Sequence, residues 1–123
     1  MRPVSLRAED VFRPPRRKRR KPELAVQKAI VRWLRASGYL VAVTDAGAAY
    51  KAGRFAGAGL PAGWPDLTAL SPAGEFVGVE CKAPGGRQSA VQKRMQDQIE
   101  RRGGTYVLAR CVDDVRGALE ERR

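Results

Sequence analysis

The sequence contains no histidine. Without imidazole, the serine-histidine and cysteine-histidine hydrolase schemes lose their usual base, so carboxylates and lysines must carry any acid-base chemistry. Cysteine is also scarce, with only Cys81 and Cys111 present. Two cysteines do not make the disulfide framework of a small secreted domain, and with no histidine beside them they cannot complete a tetrahedral zinc site within one chain. Both are expected to be reduced, partly buried thiols, and any metal is expected to be hard and oxygen-bound. No apolar run approaches the ~18 residues that a membrane helix needs. The arginine-rich N-terminus lacks the apolar stretch and small-residue cleavage site of a secretory signal. The expectation is a cytoplasmic protein with no membrane partner, a host nucleus staying open.

Acidic residues are outnumbered, 13 against 24 Lys and Arg, which gives a net charge of +11 over 123 residues. Such a field attracts polyanions by releasing their condensed counterions, so nucleic acid is the first partner to consider. The charge is uneven. Residues 1–22 hold nine Lys and Arg against Glu9 and Asp10, a net +7. Pro3, Pro14, Pro15 and Pro22 interrupt this segment, and Arg16, Arg17, Lys18, Arg19, Arg20 and Lys21 form an unbroken basic run. Mutual repulsion and proline predict a flexible basic arm over 1–22, followed by one domain over 23–123. The run suits a solvated tail, a nuclear-import signal or a DNA-gripping arm alike.

Along the domain, Val26, Ile30, Trp33 and Leu34 recur at helical spacing between Glu23 and Ser37, and Gly38 follows. Tyr39 to Thr44 predicts a short buried strand. Residues 45–64 are rich in Gly and Ala and predict a long loop, whose Lys51 and Arg54 either grip phosphate or sit solvated. The runs PDLTAL (65–70) and EFVGVECKA (75–83) flank Ser71-Pro72-Ala73-Gly74, the residue types of a tight turn, and predict a hairpin. Ser89 and Gln92 have the spacing of a capping box, and Val91, Met95 and Ile99 give the next helix its apolar stripe until Gly103-Gly104. Thr105 to Cys111 predicts another buried strand, and Asp113 is placed to cap a last helix containing Val115 and Leu119. The order α-β-β-β-α-β-α implies an α/β fold, a mixed sheet flanked by helices.

Within the hairpin, the two-residue period puts Glu80 and Lys82 on one face and Cys81 on the other. A register that pairs the early part of the first strand with the late part of the second brings Asp66 across from them. Two carboxylates ~4 Å apart repel by roughly 1 kcal/mol in water and about 4 kcal/mol at an effective dielectric near 20. A divalent cation relieves that repulsion, and Mg²⁺ or Mn²⁺ retains water while engaging phosphate oxygens. Such an ion lowers the pKa of a bound water, and Lys82 can orient that nucleophile or neutralise charge developing on the phosphorane. Taken singly the pieces have blander readings: Glu-x-Lys in a strand is commonly a solvated charge pair, and Pro-Asp commonly marks a turn. Arg87 and Ser89 lie at a helix N-terminus, suited to a phosphate or to an ordinary cap beside a solvated arginine.

The longer string is more specific. Gly63-Trp64-Pro65-Asp66-Leu67, then Glu80-Cys81-Lys82, then Gly86-Arg87-Gln88-Ser89 and Gln92, resembles the virus-type replication-repair nuclease family (VRR-NUC) of the PD-(D/E)XK superfamily. The resemblance runs from about Glu23 to Leu119 and includes PELAVQKAIVRWL, GLPAGWPDL, VECKAPGGRQS and the strand before VDDV. It implies a restriction-endonuclease-like fold in which Asp66 and Glu80 bind the metal, helped by the backbone carbonyl of Cys81, with Lys82 as the catalytic lysine. By the same resemblance Glu23 holds metal-bound water, and Gln92 positions Lys82 or substrate. From the residues alone, Glu23 is equally a first-turn acid favoured by the helix dipole, and Gln92 the far member of a capping box.

The reading is a Mg²⁺-dependent endonuclease, with Mn²⁺ substituting, that hydrolyses DNA phosphodiester bonds. The basic arm lacks the periodicity of a reading helix, so branched DNA such as a four-way junction or flap is expected in preference to a sequence. Resolving a junction takes two symmetric nicks, so a homodimer is expected. Two alternatives stand: a non-catalytic basic nucleic-acid-binding module, and a nuclease of the same superfamily acting on single-stranded ends or RNA.

Overall fold

The computed structural model describes residues 21–45 and 59–121. Arg16 to Arg20 of the basic run, and Lys51 and Arg54 of the loop, lie outside the described residues. Helix α1 (Lys21–Ala36) starts two residues before Glu23. Pro22 permits this, because proline fits the first turn, where its missing N-H has no helical partner. Lys21 therefore belongs to the helix, not to the arm. Ile30, Val31 and Leu34 are buried, with Val26 and Trp33 partly buried beside them.

The chain turns through Gly38 into β1 (Leu40–Val43), and then supplies β2 (Leu67–Leu70) and β3 (Phe76–Cys81). Helix α2 (Ala90–Arg101), strand β4 (Thr105–Ala109) and helix α3 (Val112–Glu120) are the remaining elements among the described residues. The sheet order is β1-β2-β3-β4; the first two pairings are antiparallel and β3 pairs β4 in parallel. The element order and the mixed sheet are those expected. The parallel pair follows from connectivity, since α2 carries the chain back to the start of the sheet before β4 begins.

Helices α1 and α3 cover one face of the sheet. There Val77, Val79 and Cys81 alternate inward to meet Ile30, Leu34, Val115 and Leu119 in one core. Helix α2 covers the other face, the one that Gly78 and Glu80 occupy, so β3 is buried on both sides. Ser71 closes the hairpin turn: its backbone N-H donates to the Glu75 carbonyl at 2.9 Å, and its Oγ accepts from the N-H groups of Ala73 and Glu75.

Three local expectations fail for reasons of position. Strand β1 is an edge and mostly exposed, with Leu40 at 73% exposure, because nothing among the described residues covers the α2-side face at that end of the sheet. Cys111 is exposed while Cys81 is wholly buried. Asp113 does not cap α3; Cys111 occupies the N-cap without a side-chain bond, and Asp113 falls in the first turn. Asp114 does the local work instead, its Oδ2 accepting the Arg110 backbone N-H at 2.8 Å. Among the described residues no helix is long and apolar enough to cross a membrane.

Candidate active site

The hairpin register decides where the acidic residues meet. Leu67 pairs with Val79, so Asp66, one residue before β2, stands level with Glu80. Both carboxylates are buried, Asp66 at 4% and Glu80 at 1% exposure. Asp66 is held in place through both its backbone and its side chain. Its carbonyl accepts the Thr44 N-H at 2.8 Å, and its Oδ2 accepts the Cys81 N-H at 2.9 Å. Thr44 Oγ1 also donates to the Pro65 carbonyl at 2.8 Å.

Glu80 is gripped on its other side by α2. Gln92 Nε2 donates to Glu80 Oε2 at 2.9 Å, while Gln92 Oε1 accepts the Ser89 N-H at 2.8 Å and Ser89 Oγ accepts the Gln92 N-H at 3.2 Å. One side chain thus closes the capping box and holds a buried carboxylate. Gln92 bonds Glu80, the carboxylate beside Lys82. Lys82 follows β3 with its N-H donating to the Ala109 carbonyl at 2.9 Å, and its Nζ lies 3.6 Å from Glu80 Oε2. This pair is no solvated surface couple, since Lys82 is only 16% exposed.

Glu23, from the first turn of α1, lines a polar cleft with Lys82, Arg87 and the loop Ala83–Gly86. The residues are linked pairwise: Glu23 and Lys82 line the cleft, Lys82 and Gln92 each meet Glu80, and Asp66 stands level with Glu80. Arg87 reaches the same cleft as an exposed side chain. Ser89 has its hydroxyl oxygen engaged in the cap, so the helix end is capped by its own residues. Arg110 Nη2 steadies the cleft loop by donating to the Gly86 carbonyl at 2.7 Å.

Three residues near this end carry no role in the sequence pattern: Tyr106, Asp45 and Gln27. Tyr106, on β4 level with Gly78, accepts a hydrogen bond at its hydroxyl from Gln88 Nε2 at 3.0 Å. Burial pushes the Tyr106 phenol up to about 12; the Gln88 bond opposes this, and the charges of Glu80, Asp66 and Glu100 add to it. Asp45 is a buried carboxylate just beyond β1, and Gln27 is a buried amide one helical turn after Glu23. The signal for Gln27 is visible in retrospect, as a polar residue inside the apolar stripe of α1.

The loop entering Asp66 is locked against α2. Gly63 has φ +83°, and a Cβ there would lie 2.5 Å from the Val91 carbonyl oxygen. Trp64 next to it donates from Nε1 to Thr68 Oγ1 at 2.7 Å and meets the Phe76 ring edge-on, with centroids 5.8 Å apart. Its bulk is absorbed beside an apolar hollow lined by Met95, Ile99 and Gly104.

Among the described residues, no group of three or more His, Cys, Asp or Glu side chains converges tightly enough to cage an ion. Two facing buried carboxylates suit a hydrated Mg²⁺-like cation instead, which binds through one or two carboxylates and fills its shell with water and phosphate oxygens.

No protein-family model and no curated protein matches the chain. A solved structure described as a VRR_NUC domain is similar to it, with a TM-score of 0.63 and 24% identity over 83% of this chain and 98% of that one. The likeness establishes the fold, a restriction-endonuclease-like mixed sheet with flanking helices.

Proposed function

We propose that the chain is a nuclease of the VRR-NUC type that hydrolyses DNA phosphodiester bonds with the help of Mg²⁺ or Mn²⁺. The observation that carries the proposal is the juxtaposition of Asp66 and Glu80 at facing strand positions, buried, with Lys82 beside Glu80. Asp66 and Glu80 would hold the cation, the Cys81 carbonyl between Glu80 and Lys82 would add an oxygen, and Glu23 would bind water at the cleft. Once bound, the cation supplies Lewis-acid activation of water and of the phosphate oxygens.

The protein's own groups then divide the work. Lys82, a compact cation in a half-buried position, orients the attacking water or screens charge on the five-coordinate phosphorus. The water oxygen bonds to phosphorus and gives up a proton to solvent, the bond from phosphorus to the leaving deoxyribose oxygen breaks, and that oxygen takes a proton from solvent. Gln92 fixes the Glu80 carboxylate so that it is set before substrate arrives, which limits reorganisation during the reaction. Arg87 at the cleft rim and the basic run Arg16 to Lys21 supply phosphate contacts that carry no sequence information. That balance favours a substrate recognised by shape, branched DNA such as a four-way junction or flap, cut by a twofold dimer that places one site on each strand.

The test is incubation with junction, flap, duplex and single-stranded DNA, in Mg²⁺ or EDTA, beside Asp66→Ala and Lys82→Ala. Cutting that needs metal and disappears in both variants supports the proposal. Tight, salt-sensitive binding with no product under any metal makes the chain a binding module. Sedimentation at micromolar concentration reports the dimer.

A further inference from the structure

Gln27 is a buried polar group that the proposed chemistry leaves unexplained. It sits at 8% exposure in α1, among the positions that face the core, between Glu23 and the buried Ile30, Val31 and Leu34. Its Oε1 is buried and accepts no hydrogen bond. A buried carbonyl oxygen without a donor carries the full cost of its lost hydration, so a position that needed only packing would be better served by an apolar side chain.

Its place in the helix gives the carbonyl a direction. Residues four apart lie on one helical face, and helical side chains lean toward the N-terminus. Gln27 thus lies one turn after Glu23 on the same side of α1, and Glu23 lines the cleft with Lys82. A carboxylate and an amide carbonyl stacked in this way offer two acceptors to one donor. They suit a water molecule whose two hydrogens must both point away from a cation.

We infer that Gln27 is a positioning residue that works with Glu23, its Oε1 accepting a hydrogen from a water in the shell of the bound cation. The inference rests on the metal-dependent reading above and extends it to a residue that touches neither the cation nor the scissile phosphate. In this role Gln27 fixes the orientation of the outer water, as second-layer partners of metal sites do, and such partners typically hold about tenfold or more in metal affinity.

The experiment compares the wild type with Gln27→Met and Gln27→Glu in the full chain, titrating Mn²⁺ by calorimetry and recording thermal unfolding in EDTA and in Mn²⁺. Methionine matches glutamine in length but has no comparable acceptor. The expected result is a Gln27→Met protein as stable as wild type in EDTA, about tenfold weaker for Mn²⁺, with a smaller rise in Tm on adding the ion. Gln27→Glu, which keeps an acceptor oxygen, is expected to retain the affinity. Should the methionine variant not fold, Gln27→Asn, whose carbonyl is drawn back by one methylene, must show the same weakening. Unchanged Mn²⁺ affinity in the variant that lacks the acceptor overturns the role of Gln27 alone. A wild type that takes up no Mn²⁺ overturns the metal-dependent reading, and this inference with it.

Discussion

The Asp66 carboxylate accepts the backbone N-H of Cys81 at 2.9 Å, so a candidate metal ligand just before β2 is also a structural tie to β3. The two roles separate by substitution. Asp66→Asn keeps an acceptor oxygen for the Cys81 N-H, and its stability in urea is expected to stay close to wild type. Asp66→Ala orphans a buried donor and is expected to cost about 1–3 kcal/mol. Both should abolish cleavage, since neither supplies an anionic ligand. Loss of activity in Asp66→Ala alone would show that the tie matters and the charge does not.

Gln92 joins the α2 cap to Glu80 through its two amide atoms. Gln92→Glu preserves an acceptor for the Ser89 N-H but sets a carboxylate against the buried Glu80. Gln92→Ala is expected to lose about 1 kcal/mol with the cap, and Gln92→Glu more than that. Pairing Gln92→Glu with Glu80→Gln should recover part of the loss, because the like charges no longer face each other. Strict additivity in that double-mutant cycle would mean that the two residues do not interact in solution.

Gly63 meets the backbone of α2 so closely that a side chain has no room. Gly63→Ala combines a positive φ with a carbonyl oxygen 2.5 Å from the new Cβ, and is expected to cost at least about 1–3 kcal/mol. Gly74 has φ +84° with nothing within 4 Å, so Gly74→Ala isolates the conformational part alone. Chemical denaturation should rank Gly63→Ala well below Gly74→Ala. Equal losses would place the loop away from α2.

Tyr106 gives the molecule a signature in alkali. Burial raises its phenol from 10.0 to about 12, so the folded protein holds this proton more tightly than the unfolded chain does. The associated stability is intact below pH 10 and is lost as the pH rises toward 12, because only the unfolded state sheds the proton in that window. Wild type should lose stability more steeply than Tyr106→Phe across this range. Parallel curves would assign the alkaline loss to other groups.

The basic segment is tested by deleting residues 1–20, which leaves α1 its own first turn. Binding to DNA should weaken and its dependence on salt should flatten, because fewer counterions are released. An unchanged slope of affinity against salt would make the segment a bystander.

Much of this was legible before folding. The stripe of Ile30 and Leu34, the turn at Ser71 to Gly74, the Ser89 and Gln92 pair and the spacing of Glu80 and Lys82 are local patterns. Periodicity of 3.6 or 2 and the chemistry of caps and turns fix them within a few residues. The sequence by itself therefore determined the order of elements, the mixed sheet and the residues from which a site could be built. Only the tertiary structure decided that β1 would be an exposed edge and that Cys111 would be open to solvent. It also decided that Gln92 would hold Glu80 and that Gln27, one turn after Glu23, would be buried. Each of these depends on which segments stack across the sheet. That choice is set by contacts between residues far apart in the chain, which no local window of sequence contains.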